Sequence, residues 1–261
     1  MLKHTAVSTA FKFGISIAKM TPNDEVRAFL RRLYPVSTGH ELVRLGCAGD
    51  GGYLVPDDIE GIVACFSPGV DDRATFEEAL VARGIRCHLA DASVERSPLA
   101  DARCTFLKKN VGVVNNDDCI TLNRWIAEME PGDDDLLLQM DIEGNEWPVL
   151  LNLSDDNLAR FRIIVLELHD MERLMDKHAF RIIHAVIERL LEKFYLVHNH
   201  PNNYGGLVKA KEIEIPRALE VTLLRRDRAT PNGFVTQFPH PLDHTNAADR
   251  PDIVLPAAWR A

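Results

Sequence analysis

The sequence predicts an α/β fold with a mostly parallel seven-stranded sheet, an antiparallel last strand and helices on both faces. Three observations lead there. Short apolar runs recur at 62–66, 85–90, 105–114, 135–140, 162–169, 194–200 and 218–225, and runs of this kind are strands buried on both faces. Between them lie stretches with helical spacing of apolar residues, at 73–83, 121–130 and 179–193, so strand and helix alternate as they do around a parallel sheet. The connection into the last run is too short to hold a crossover helix, which makes that strand antiparallel.

Met1–Met20 carries Lys3, Lys12 and Lys19 but no continuous apolar stretch. It reads as an amphipathic helix packed on the body or on a second copy of the chain, and not as a secretory signal. Asn23–Leu33 has helical spacing and Pro35 ends it. Gly49-Asp50-Gly51-Gly52 has the chemistry of a hairpin turn, although bare backbone of this kind also suits a lid over a ligand. The run 62–66 then enters Ser67-Pro68-Gly69-Val70-Asp71-Asp72 before a helical pattern. Strand, glycine turn and helix form the opening unit of a nucleotide-type fold, with helix-terminal N–H groups facing the ligand.

The next strand ends in Asp91, 22 positions after Gly69, close to the spacing of about 20 at which an acid meets ribose hydroxyls in such folds. A helix cap or loop acid is the plainer alternative for Asp91. The turn lacks the G-x-G-x-x-G set, and no phosphate-binding P-loop occurs anywhere. What remains suits a nucleoside without phosphates, and S-adenosylmethionine is the commonest such ligand for this architecture. Thr121 and Ser154 are placed to cap helices.

The central stretch is Asp135–Trp147, an apolar run that stops at Asp141 and Glu143 and turns on Gly144, with Asn145 as a candidate cap for the helix beyond. It reads as a buried parallel strand carrying carboxylates to the carboxyl edge of the sheet, where open α/β folds keep their ligands. Strand ends and helix starts are often acidic, yet two acids beside so apolar a strand are costly without a cation or donors to meet them. In the following strand Glu167 and His169 share one face, and His198 and His200 share a face of the strand after that. Asn202, Asn203 and Tyr204 follow as a polar loop, either turn formers or a grip on a polyhydroxylated acceptor.

The chain has 261 residues, a formal charge of −9 and an isoelectric point near 5.6. That balance argues against nucleic acid or anionic membrane as the main partner and favours a small polar molecule. Length and pattern divide into a helical N-terminal extension at 1–40, one α/β domain at 41–226 and an irregular tail at 227–261 packed on it. Cys47, Cys65, Cys87, Cys104 and Cys119 are odd in number, widely spaced and form no C-x-x-C pair. They read as reduced residues of a cytoplasmic protein. No run is long enough to cross a bilayer.

Several separated motifs resemble the FkbM-type family of S-adenosylmethionine-dependent methyltransferases. They are Arg44-Leu45-Gly46 with Asp50–Tyr53, Phe66–Val70 with Phe76-Glu77, Ala90–Val94, Leu138–Trp147, Phe161–His169, His198–Asn203, and Pro216 with Leu219–Thr222. Together they span roughly residues 40 to 226 in order. The resemblance implies a Rossmann-like class I methyltransferase fold, whose layout of α/β repeats plus a terminal antiparallel strand the pattern above already has. It implies that Gly69 holds the methionine end of the donor and Asp91 the ribose hydroxyls, with Gly52, Phe66, Ser67, Asp72 and Ala92 nearby and Asp141 and Glu143 beside the reacting methyl. It further implies methylation of a hydroxyl, often on a sugar or other polar metabolite.

Transfer to oxygen is an in-line displacement in which a positioned base takes the hydroxyl proton. His169 is the first candidate and His198 the second, while His200, Asn202, Asn203 and Tyr204 are candidates for holding the acceptor. A divalent cation such as Mg, bound by Asp141, His169 and His198 with Glu143 nearby, is the alternative activator. The rival readings are a metal-dependent hydrolase using Asp141, His169 and His198, and a non-catalytic binding protein on the same fold.

Overall fold

The structure is a computed structural model that describes Thr9 and residues 11–14 and 17–261. Most of the helix expected over Met1–Met20 lies outside the described residues. A helix at Asn23–Leu30 runs into a 3-10 turn at Arg31–Leu33. Strands β1 (Leu42–Leu45) and β2 (Tyr53–Pro56) then form the expected antiparallel hairpin. Next come β3 (Ala64–Pro68), a helix at Thr75–Val81, β4 (Arg86–Ala90), β5 (Cys104–Leu107), β6 (Asn110–Gly112) and β7 (Cys119–Thr121). A helix at Leu122–Met129 leads to β8 (Leu136–Met140), followed by helices at Glu146–Asn152 and Asp155–Arg160. The chain continues through β9 (Phe161–Leu168), a helix at Lys177–Lys193, β10 (Phe194–Pro201), β11 (Leu207–Ala210), β12 (Ile213–Pro216) and β13 (Leu219–Arg225).

Seven of these strands form the main sheet, in the order β10-β13-β9-β8-β3-β4-β5. The ladders of β3, β4, β5, β8 and β9 are parallel, and β13 runs antiparallel to both neighbours. The last strand in sequence is therefore an interior strand of the sheet, wedged between β9 and β10. Its connection from β10 holds the small β11–β12 hairpin in place of a helix. The run expected over 105–114 divides in two: Lys108, Lys109 and Asn110 interrupt its apolar character, and beyond Leu107 the chain leaves the edge so that β6 pairs with β7 instead.

Alternate residues of the buried strands supply the two faces. Leu136, Leu138 and Met140 join the helices at Asn23–Leu30, Leu122–Met129 and Lys177–Lys193 in one core, while Leu137, Ile163 and Val165 join Tyr53, Val55, Phe76 and Leu80 in the other. Period-two alternation in a strand covered on both sides demands apolar residues at every position, which is why β8 and β9 look like continuous apolar runs. Thr121 and Ser154 cap their helices as expected, accepting from the amides of Arg124 and Asn157. After β13 the chain is largely irregular. It ends with Trp259 fully buried, its indole donating to the carbonyl of Glu214 at 2.8 Å.

Candidate active site

From β3 the chain winds outward through β4 and β5, then crosses back to β8 and β9 on the other side. A crevice therefore opens at the carboxyl ends of β3 and β8, the switch point at which such sheets bind ligands. There lies a cavity of about 770 Å³. The turn after β3 lines it and presses so closely on the chain leaving β8 that a Cβ on Gly69 would sit 1.5 Å from the carbonyl oxygen of Asp141, and Gly69 has φ +86°. Only glycine fits both constraints. Three cavity residues that are not glycine, Asp71, Glu143 and Asp170, also have positive φ, between 46° and 58°. Strain of this sort persists where the surrounding structure enforces it, and it clusters at functional sites.

At the centre stands His169, the residue after β9. Its Nδ1 lies 3.1 Å from Oε1 of Glu146, a carboxylate with no solvent exposure. The same Oε1 accepts from the backbone amides of Ile142 and Gly144. Glu146 thus braces the turn that leads into its helix, while Asn145, expected as the cap, makes no side-chain cap. The other nitrogen, Nε2, is 3.5 Å from Glu167, 3.6 Å from Glu143 and 3.8 Å from Asp141. Asn202 donates to Glu167 at 2.7 Å, whereas Oδ1 of Asp141 is buried with no partner.

One imidazole among four carboxylates leaves a surplus of negative charge. Burial, opposed by His169 and reinforced by Glu143, Glu146 and Asp50, pushes Asp141 up to about 7. Burial and the charges of Asp141, Glu220 and Asp50 lift Glu167 well above the usual carboxylate range. For His169 burial works downward, but the hydrogen bond and charge of Glu146, with Asp141 and Glu143, carry it up to about 9. The arrangement can hold a cation and pass a proton near neutral pH.

Of the residues singled out from sequence, Gly69, Asp141, Glu143, His169, Asn202 and Tyr204 come together on this cavity. The other candidates sit outside its walls. Gly52 adjoins the cavity residue Gly51 and packs on Cys47, where a Cβ would meet a carbonyl oxygen at 2.0 Å. Ser67 is buried beneath the floor, and Phe66 is in the core with its ring edge-on to Trp125. Asp91, next to Ala92, accepts from the amides of Asp71 and Ser93 at the end of β4. Asp72 is exposed beside Arg73.

His198 and His200 do share a face, but that face meets the tail: His198 pairs with Asp243 at 2.9 Å, and His200 lies 3.4 Å from the same carboxylate. The cluster with metal-ligand spacing is Asp141, Glu167 and His169, so Glu167 stands where His198 was expected. Asn203 holds tail carbonyls of Ala247 and Arg250. Glu146, Tyr53, Gln139, Glu77 and Glu167 stand within the FkbM-like motifs but had no site role assigned from sequence. The available signal was polarity in buried runs, since Gln139 interrupts an otherwise apolar β8 and Glu167 ends the apolar run 163–166 of β9.

No helix of the described residues is long and apolar enough to cross a membrane. None of the curated proteins matches this chain. Among solved structures, a chain of the fibrillarin/Nop5p complex is similar at 11% identity and a TM-score of 0.37, over 64% of this chain and 74% of that one. A variant of the 16S rRNA (adenine(1408)-N(1))-methyltransferase from Catenulisporales acidiphilia is similar at 12% identity and a TM-score of 0.33, over 73% of this chain and 100% of that one. Residues 20–194 match the family described as the methyltransferase FkbM domain. With two thirds of its length inside that match and the seven-stranded sheet that such enzymes share, the chain belongs to the FkbM methyltransferase domain family.

Proposed function

We propose that this protein is an S-adenosylmethionine-dependent O-methyltransferase acting on a hydroxyl of a neutral, polar small molecule such as a sugar. The observation that carries the reading is the His169 cluster at the carboxyl edge, with a side-chain-free turn on one side and polar groups on the other. Family membership implies the donor, and two features of the cavity fit it. The Gly69 turn leaves bare backbone against the space, and the acids Asp141 and Glu167 suit a positively charged sulfonium. When bound, S-adenosylmethionine supplies an electrophilic methyl group. Gly69, with Asp71 and Asp91 beyond it, would hold it.

The chain's own residues then have distinct tasks. Glu146 holds Nδ1 of His169, which fixes the ring and presents Nε2 to the cavity. Asp141, lifted to about 7 and 3.8 Å from Nε2 of His169, is matched to receive the proton of an acceptor hydroxyl near neutral pH, with His169, at about 9, as its charged partner. Asn202, Tyr204 and Arg217 line the side away from Gly69, where a polyhydroxylated acceptor would be held. Because Asp50, Asp71, Glu143 and Asp170 outnumber Arg73 and Arg217 on the walls, a neutral acceptor is favoured over an anionic one.

A second reading has one observation in its favour. One ligand atom from each of Asp141, Glu167 and His169 lies within 4.8 Å of the others, and hard oxygen and imidazole donors of this kind suit Mg or Mn. A cation there would lower the acceptor's pKa directly. Calorimetry with S-adenosylmethionine and S-adenosylhomocysteine, with and without magnesium, separates the readings. Micromolar binding independent of metal supports the proton-transfer unit, and binding that needs magnesium supports the second reading. The absence of binding under both conditions sinks the methyltransferase proposal. A labelled-donor screen against neutral monosaccharides and glycosides then identifies the acceptor.

A further inference from the structure

Along the cavity floor, with Tyr53, Glu77 and Gln139 on its surface and Ser67 below, runs a buried chain of polar groups that the proton-transfer unit does not use. Glu77, Ser67, Gln139 and Tyr53 are all at most 5% exposed. They come from four elements: the Thr75–Val81 helix, β3, β8 and β2. The Ser67 hydroxyl contacts both Oε1 of Glu77 and, at 2.6 Å, Oε1 of Gln139. On its other side, Nε2 of Gln139 donates to the Tyr53 hydroxyl at 3.3 Å.

Proton counting gives this chain a direction. A serine hydroxyl has one proton, and Oε1 of Gln139 has none to offer. With the Gln139 amide turned so that Oε1 faces Ser67 and Nε2 faces Tyr53, Ser67 donates to Gln139, and the proton shared between Ser67 and Glu77 belongs to Glu77. With its oxygen taken by Ser67, Gln139 turns its amide N–H toward Tyr53, which accepts. The phenol proton is then free to point elsewhere. We infer that Glu77 is held as a neutral acid whose proton orders the chain Glu77, Ser67, Gln139, Tyr53, leaving the Tyr53 hydroxyl as a fixed donor into the reaction cavity.

Both ends are compatible with this direction. At one end burial, outweighing the opposing Ser67 hydrogen bond, raises Glu77 above the usual carboxylate range and favours the neutral acid. At the other, burial and then the charges of Asp141 and Glu167 hold the phenol well above its ordinary range, so it keeps a proton to donate. Ionising Glu77 would reverse every link. Ser67 would turn to the carboxylate, the Gln139 amide would flip, and Tyr53 would spend its proton on Gln139. Resting on the methyltransferase reading, Tyr53 is the group that would donate to the acceptor oxygen or to the carboxylates around it, with Glu77, Ser67 and Gln139 as positioning residues.

Infrared difference spectroscopy on the full chain, wild type minus Glu77→Gln, tests the protonation state without an acceptor. The expected result is loss of the carbonyl stretch of a neutral carboxylic acid, unchanged across neutral pH. Loss of an ionised carboxylate stretch instead overturns the inference. Should Glu77→Gln fold poorly, Raman difference spectra of wild type minus Tyr53→Phe report the phenol directly. A tyrosine that both accepts and donates supports the ordered chain, and one that only donates refutes it. With any acceptor found by the labelled-donor screen, Tyr53→Phe should lower kcat on the order of 10²-fold while donor affinity stays within about twofold. The two proposals fail separately, because donor calorimetry does not depend on the state of Glu77.

Discussion

His169 shows how one side chain acquires its chemistry from its neighbours. Glu146 is buried and fixed by two backbone amides, so it cannot move away from the imidazole it faces. Its hydrogen bond, followed by its charge, is the main upward influence on His169, which sits near 9 against an ordinary 6.5. Glu146→Gln keeps an oxygen for the two amides but removes the charge. Its expected effect is a fall in the His169 midpoint from about 9 toward the ordinary value, read by histidine NMR titration. A group whose folded pKa is raised lends stability that is complete below its unfolded value and lost as pH climbs through the folded one. Thermal melts of the donor-free wild type should therefore decline between pH 6.5 and about 9, and the variant should lose less across that window. An identical decline in both proteins would show that Glu146 does not set the proton on His169.

At the scale of elements, the site is made where the ends of β3, β8 and β9 converge, and the contact between the first two is the tightest. Gly69→Ala introduces a methyl group 1.5 Å from the Asp141 carbonyl oxygen at φ +86°. Left-handed strain and overpacking together cost about 2–5 kcal/mol. More tellingly, the turn must retreat from β8, so calorimetric affinity for S-adenosylhomocysteine should fall at least tenfold even at temperatures where the variant is folded; unchanged affinity would remove this turn from the donor site. These elements were legible because parallel strands buried on both faces print a continuous apolar run, and Asp141 and His169 because polarity resumes where such a run ends. Glu167 was not legible in the same way. It sits inside its strand, and its significance comes from register: β9 and β13 place Glu167 directly opposite Glu220, a pairing between residues distant in sequence.

Over the whole molecule the tail explains what the sequence pattern of histidines left open. His198 and His200 alternate correctly along β10, but which groups they meet depends on where residues 240–252 come to rest, and irregular chain has no period from which to read its path. The structure brings Asp243 between the two histidines and sets the Arg250 guanidinium over the Tyr204 ring at 4.5 Å, while Asn203 holds the carbonyls of Ala247 and Arg250. The loop that lines one side of the cavity is thus backed by the tail. Asp243→Asn removes the charge that the two buried histidines share, and breaking a buried pair of this kind costs about 3–5 kcal/mol. If the tail supports that wall, the loss is local before it is global. Hydrogen exchange should accelerate at 202–206 and 240–252 while the β3 and β8 amides stay protected, and the tail should become sensitive to protease. Trp259→Ala, at the other anchor, should cost a similar amount through the cavity left by a fully buried indole but leave 202–206 protected, because Trp259 is tied to Glu214 and not to the cavity loop. Equal loosening of 202–206 in both variants would mean that the tail acts only as bulk stability, and that the wall beside Tyr204 is not shaped by it.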